Sequence, residues 1–189
     1  MLFRSRGPNV TPGYYRREDL TREAFDEEGY YRIGDAMKFD DPARPEKGLV
    51  FDGRVAEDFK LTSGTWVHVG AVRVKLIAAG NPVIQDAVIT GHDRDEVGAL
   101  VFLSPAAKDL APEAVRARIV AALQALAAEG GSSMHPVRAL ILEEPPSIDA
   151  GEITDKGYIN QRAVLERRAA LVEQLHANPP PPDVVTTKG

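Results

Sequence analysis

Apolar residues recur at helical spacing in two places. From Pro112 to Glu129, the positions Val115, Ile119, Ala122, Leu123 and Leu126 share one side, which predicts an amphipathic helix ended by Gly130-Gly131. A second helix is predicted over Gln161 to His176. Shorter apolar stretches predict strands at Leu49–Phe51, Trp66–Val69, Val83–Thr90, Gly98–Leu103 and Val137–Leu142. Val72 to Ala79 predicts a short helix closed by Gly80-Asn81-Pro82, and the turn from Gly91 to Glu96 joins two of the strands. Residues 1–52 are rich in Gly, Pro, Asp and aromatic residues, with turn signals at Gly7-Pro8, Thr11-Pro12-Gly13 and Asp40-Asp41-Pro42. This segment reads as β and loop, too small for a core of its own. A second part runs over 53–177. Asn178 and the four prolines after it open a tail, 178–189, expected to be extended and disordered. Strands with helices to one side predict a small α+β domain.

Composition narrows the function classes. With 43% hydrophobic residues in 189, there is enough apolar material for a core. A net charge of −5, without a basic stripe interleaved with aromatics, argues against nucleic acid as a partner. The chain has no cysteine, hence no disulfide, thiolate metal site or cysteine nucleophile. Neither a leader at Met1 nor an apolar run of membrane-spanning length is visible. A soluble cytoplasmic protein is the expectation. His68, His92, His135 and His176 are scattered without ligand spacing, so no metal site is expected. Asp93, Asp95 and Glu96 read as a solvated hairpin turn, and Glu166, Arg167 and Arg168 as the wet face of the final helix. Ser147 has no base or oxyanion motif nearby.

Two blocks carry candidate chemistry. Residues 30–35 read Tyr-Tyr-Arg-Ile-Gly-Asp, and 53–64 read Gly-Arg-Val-Ala-Glu-Asp-Phe-Lys-Leu-Thr-Ser-Gly. Each sets a charged side chain beside a glycine, where the backbone can turn sharply or approach a ligand. The Asp35 carboxylate can accept hydrogen bonds from vicinal hydroxyls, as a carboxylate does when it reads a ribose. Arg54 and Lys60 offer cationic donors suited to phosphate or carboxylate. Together they have the makings of a nucleotide site. The bland alternatives are an acidic turn residue for Asp35, a surface ion pair with Glu57 or Asp58 for Arg54, and a solvated lysine for Lys60.

These blocks resemble the adenylate-forming superfamily of acyl-CoA synthetases, adenylation domains and luciferases, with wording nearest the feruloyl-CoA synthetase-like members. The resemblance is carried by Arg6 to Tyr15, Ala24 to Asp35 and Gly48 to Gly70, and runs from about Arg6 to Ala177. It implies the small C-terminal lid domain of that superfamily, preceded by a short β-rich remnant of the N-terminal domain (1–52). Nothing here resembles the family's Ser/Thr/Gly-rich phosphate loop, so the chain reads as the last third of an enzyme and is expected to be inactive alone. The resemblance further implies that Asp35 binds the ribose hydroxyls, Arg54 contacts the nucleotide and Lys60 approaches the adenylate. The hinge falls at Asp52 and Gly53, where a glycine can absorb a large backbone rotation. Thr62 to Trp66 would enter the site for thioester formation, with Gly64 and Trp66 beside the pantetheine of coenzyme A. Trp66 reads equally well as a half-buried strand residue.

The family's catalytic lysine lies in a loop before the last helix, comparable to Gly151 to Arg162 here. Aligned on Gly-Glu-x-Thr, the usual lysine position falls on Tyr158. Lys156, the only lysine of the loop and flanked by Gly157, is assigned the role. The implied cofactors are ATP, Mg2+ and coenzyme A, all needing the N-terminal adenylation domain as partner, and the implied substrate is a carboxylic acid of aromatic, hydroxycinnamate-like type. Three alternatives stay open: a carrier protein as acyl acceptor, a non-catalytic module docking on a separate N-terminal half through Phe25, Tyr30, Tyr31 and Phe39, and a decayed remnant.

Overall fold

A computed structural model describes residues 2–131, 133 and 135–187, except for the side chains of Leu2 and Asp52. The chain divides into two compact units, Met1–Ala56 and Glu57–Gly189.

The first unit is a three-stranded antiparallel sheet in the order β1-β2-β3, from β1 (Leu2–Ser5), β2 (Tyr31–Phe39) and β3 (Leu49–Arg54), with one short helix, α1 (Glu18–Ala24). Among the described residues, Ala36 is its only buried apolar side chain. Ile33, Phe39, Leu49, Val50, Phe51 and Val55 are exposed, on both faces of the β2–β3 ribbon. Of the four aromatics expected to be exposed, only Phe39 is. Phe25 and Tyr31 pack on each other with ring centres 5.4 Å apart, and Arg4 and Arg6 lie over the Tyr30 ring.

The second unit holds the core. Its main sheet has the order β6-β7-β8-β9, from β6 (Ile84–Thr90), β7 (Gly98–Leu103), β8 (Arg138–Leu142) and β9 (Val184–Thr186). β7 and β8 are parallel, joined by a crossover through α3 (Pro112–Ala127), and the other pairs are antiparallel. A small hairpin, β4 (Phe59–Lys60) and β5 (Trp66–Val67), precedes α2 (Val69–Gly80).

Helices cover both faces of this sheet, not one side as the sequence predicts. Side-chain alternation sorts the strands into two layers. Ala87, Ile89, Ala99, Val101 and Ala139 pack under α2 and α3 with Phe59, Leu61 and Val67. Val88, Leu100, Phe102, Leu140 and Leu142 face the other way and pack with Ile153, Ile159, Val164 and Leu175. Coverage on both faces is why β7 reads as an unbroken apolar run.

Two further expectations change. Over its described residues, 178–187, the expected tail is not a loose end, and residues 188 and 189 lie outside the described residues. Val184 and Val185 are buried, β9 pairs with β8, and Arg116 donates to the Pro182 and Val184 carbonyls at 3.1 Å. The helix expected over Gln161–His176 is two helices, α4 (Gln161–Arg167) and α5 (Ala169–His176). They break at Arg168, whose φ of −103° and ψ of 28° are non-helical.

Candidate active-site elements

Asp35 and Arg54 face each other across β2 and β3 as register partners. Each follows a glycine with positive φ, 86° at Gly34 and 100° at Gly53, a region that disfavours side chains. The Val55 N–H donates to the Gly34 carbonyl at 2.9 Å, which closes the ribbon at this end. Asp35 is half-buried and Arg54 exposed. A carboxylate and a guanidinium thus sit side by side at the ribbon's end, able to bind hydroxyls and an anion at once. Of the two expected hinge residues, Gly53 is buried within β3, just before the division at Ala56, and the side chain of Asp52 lies outside the described residues.

Lys60, Gly64 and Trp66 gather on the β4–β5 hairpin. Lys60 and Trp66 are register partners, and the Lys60 ammonium stands 5.0 Å from the centre of the Trp66 ring, a cation–π contact. Trp66 is 52% exposed within β5, a strand tryptophan with about half of its surface open to solvent. Gly64, at φ 80°, makes the reversal, and its N–H donates to the Leu61 carbonyl at 2.8 Å. The 91–96 turn braces the hairpin from behind. Thr62 N–H donates to the Arg94 carbonyl at 2.9 Å, Thr62 Oγ1 donates to Asp95 at 2.6 Å, and Asp93 N–H donates to the Lys60 carbonyl at 3.2 Å. Asp95 is exposed on this turn, as expected, and also serves as an acceptor that ties it to the hairpin. At the hairpin's exit, Asp58 accepts from the Val69 N–H at 2.9 Å, at the N-terminus of α2.

Lys156 stands elsewhere in the same unit, at the tip of a second hairpin. Ile153 and Ile159 bridge its base, Thr154 N–H donates to the Tyr158 carbonyl at 2.8 Å, and Gly157 N–H donates to the Thr154 carbonyl at 2.8 Å. Gly157 takes φ 82°, which closes the turn. Lys156 and Tyr158 are both exposed, Tyr158 by 67%. The hairpin's root belongs to the layer of Ile153 and Ile159, whereas the 60–66 hairpin is rooted in the layer of Phe59, Leu61 and Val67. The two candidate loops thus grow from core layers on opposite faces of one sheet.

Beneath the Lys156 hairpin lies a cluster that the sequence reading missed. The Glu152 side chain is fully buried and accepts from Arg168 Nε at 2.7 Å, Arg168 Nη2 at 2.9 Å, Arg167 Nη1 at 3.0 Å and Ser147 N–H at 2.8 Å. The Arg168 bond, with help from Ser147 and Arg167, outweighs burial and holds the carboxyl down at about 2. Arg168, expected on the wet face of a helix, is buried. It also donates to the Glu144 and Pro145 carbonyls and lies over the Phe102 ring. One signal was available: Arg168 falls one helical repeat after the buried Val164, on the apolar stripe.

Among the described residues, no three His, Asp or Glu side chains come together as a metal site. No described helix is long and apolar enough to cross a membrane.

Comparison with known proteins meets this geometry. The family described as the AMP-binding enzyme C-terminal domain matches residues 64–179. A carboxylic acid reductase of Mycobacterium marinum is 28% identical over 174 residues, covering 90% of this chain and 14% of that protein. A 2,3-dihydroxybenzoate-AMP ligase of Bacillus subtilis is 30% identical over 170 residues, covering 88% of this chain and 28% of that protein. The A-PCP didomain of the carboxylic acid reductase from Segniliparus rugosus, solved in complex with AMP, superposes with a TM-score of 0.76 at 27% identity, covering 93% of this chain and 24% of that one. This chain thus spans less than a third of the length of each of these relatives. It belongs to the AMP-binding enzyme C-terminal domain family of the adenylate-forming superfamily.

Proposed function

We propose that this chain is the lid-bearing C-terminal part of an acid–CoA ligase. In the first half-reaction, a carboxylate oxygen attacks the α-phosphorus of ATP and pyrophosphate leaves, giving an acyl-adenylate. In the second, the thiolate of coenzyme A attacks the acyl carbon and AMP leaves. Asp35 takes the ribose hydroxyls and Arg54 the nucleotide. Lys156 stabilises the charge gathered between acid and α-phosphate during adenylation. Lys60 serves the adenylate from its own hairpin. Gly64 and Trp66 flank the pantetheine arm in the second step, and Asp52-Gly53 is the pivot between the two poses. Magnesium and the triphosphate are held by an N-terminal adenylation domain. That domain also covers the apolar faces of the first unit, which has almost no core of its own.

The observation that carries this reading is the rooting of the two loops in opposite core layers of one sheet. A domain built so can offer one loop to a site, turn, and offer the other. The substrate is read as an aromatic acid of the feruloyl type. The motif wording supports that, as does similarity to a ligase whose name specifies dihydroxybenzoate. A carrier-bound thiol is the second reading for the acceptor, favoured by the likeness to an A-PCP didomain. The test is Lys156→Ala in the chain joined to an adenylation domain. Adenylation, followed as pyrophosphate release, falls by at least about tenfold, while transfer from preformed acyl-AMP to coenzyme A persists. Equal loss in both steps, or in neither, overturns the assignment. Transfer to a carrier thiol but not to coenzyme A selects the second acceptor.

A further inference from the structure

The buried cluster under the Lys156 hairpin is placed where it fixes the hairpin's aim. The hairpin leaves the body at Ser147 and returns at Asn160, and Glu152 ties both ends. Its carboxylate takes the Ser147 N–H, and its carbonyl takes the Asn160 N–H at 2.9 Å. Asn160 in turn caps α4, its side chain accepting from the Ala163 N–H at 3.3 Å. The remaining acceptor sites of the carboxylate go to Arg167, at the end of α4, and Arg168, at the break before α5. Arg168 anchors itself to the carbonyls at the exit of β8.

Stability alone does not call for charges here. A buried ion pair gains little over apolar residues of the same size, because desolvation offsets the attraction. What it provides is direction. Each of the four bonds to Glu152 has a required angle, and their donors sit on separate segments. A one-ångström error in a group that meets the reacting atoms can cost about a hundredfold in rate. A lysine at the tip of a hairpin is open to such error unless its base is fixed.

We propose that Glu152, gripped by Arg167 and Arg168, is a positioning residue that sets the orientation of the Lys156 hairpin for adenylation. The inference rests on the role of Lys156 in the reading above. It deepens that reading by naming what aims the lysine.

The variants are Arg167→Ala and Arg167→Lys. The Arg167 side chain is 39% exposed, so its loss spares most of the core. On the 189-residue chain, hydrogen exchange is read at the Thr154, Gly157 and Asn160 amides. Joined to an adenylation domain, the same variants are assayed for pyrophosphate release and for transfer from preformed acyl-AMP, alongside Lys156→Ala. The expected result is faster exchange at those amides in Arg167→Ala at nearly unchanged melting temperature. It comes with a roughly tenfold lower kcat for adenylation, an unchanged KM for ATP, intact transfer, and partial rescue by Arg167→Lys. If Lys156→Ala suppresses adenylation but Arg167→Ala leaves both exchange and kcat unchanged, the positioning role is wrong and the lysine assignment stands. If Lys156→Ala has no effect on adenylation, the lysine assignment fails and takes this inference with it.

Discussion

Replacing Glu152 with glutamine measures how firmly the Lys156 hairpin is rooted. The wild-type carboxylate accepts four N–H bonds, three of them from two guanidinium groups. These donors favour the ionised form and bring the carboxyl from 4.5 to about 2. At about 1.36 kcal/mol per pKa unit, the drop corresponds to roughly 3 kcal/mol of folding stability at neutral pH. Removing one partner of a buried pair costs about 3–5 kcal/mol, which agrees in size. Because the folded carboxyl titrates below its unfolded value, its contribution is complete above about pH 4.5 and is lost as pH falls toward 2. Glutamine keeps the shape and one acceptor but cannot ionise. Urea unfolding of wild type and Glu152→Gln, followed by far-UV circular dichroism from pH 7 down to 3, should show a gap of about 3 kcal/mol at pH 7 that narrows below pH 4.5. Other carboxylates titrate in both proteins and cancel in the difference. A gap that stays constant across that range, or none at pH 7, would refute the reasoning.

Three further outcomes follow from the packing. His176 is held down at about 4, first by burial and then by Arg138 and Arg94, and it shares a 2.8 Å hydrogen bond with Thr90. A ring NMR titration should therefore show its midpoint well below that of an exposed histidine. Stability gained from the neutral ring is full above about pH 6.5 and is lost as pH falls toward 4. Val185→Ala removes two buried carbons from β9 and should cost about 2 kcal/mol in urea unfolding, and truncation after Ala177 should cost more; neutral truncation would mean the tail is dispensable. Gly98→Ala would bring a Cβ within 2.7 Å of Thr90 Oγ1 and 2.9 Å of a Leu175 methyl, and a loss of about 1–3 kcal/mol in thermal unfolding is expected.

The strongly periodic elements were legible in the sequence. Gly98–Leu103 and the helix begun at Pro112 stand where the pattern puts them, because strand length and a proline at the first turn leave little choice. Asp35 and Arg54 were marked as a pair by their glycines, but the register that sets them opposite each other comes from strand pairing, which no local pattern specifies. The tail was misread because four consecutive prolines dominate its composition, while the two valines that matter form too short a run to register. The break at Arg168 was hidden for a different reason. Every residue from Gln161 to His176 suits a helix, and the partners of Arg168 at the break, Glu152 and the Glu144 and Pro145 carbonyls, lie far back in the chain. Long-range charge pairing leaves almost no local trace. The apolar faces of the first unit were foreseen, correctly at Phe39 but not at Phe25, Tyr30 and Tyr31, which are half-covered by each other or by arginines.

The proposed function requires that two loops of one domain serve two different chemical steps. Its most direct test pairs Lys156→Ala with a hairpin variant, Trp66→Ala, in the chain joined to an adenylation domain. Pyrophosphate release and acyl transfer from preformed acyl-AMP are measured in each. Opposite patterns are predicted: Lys156→Ala loses adenylation and keeps transfer, and Trp66→Ala keeps adenylation and loses transfer. Both variants impairing the same step would contradict it.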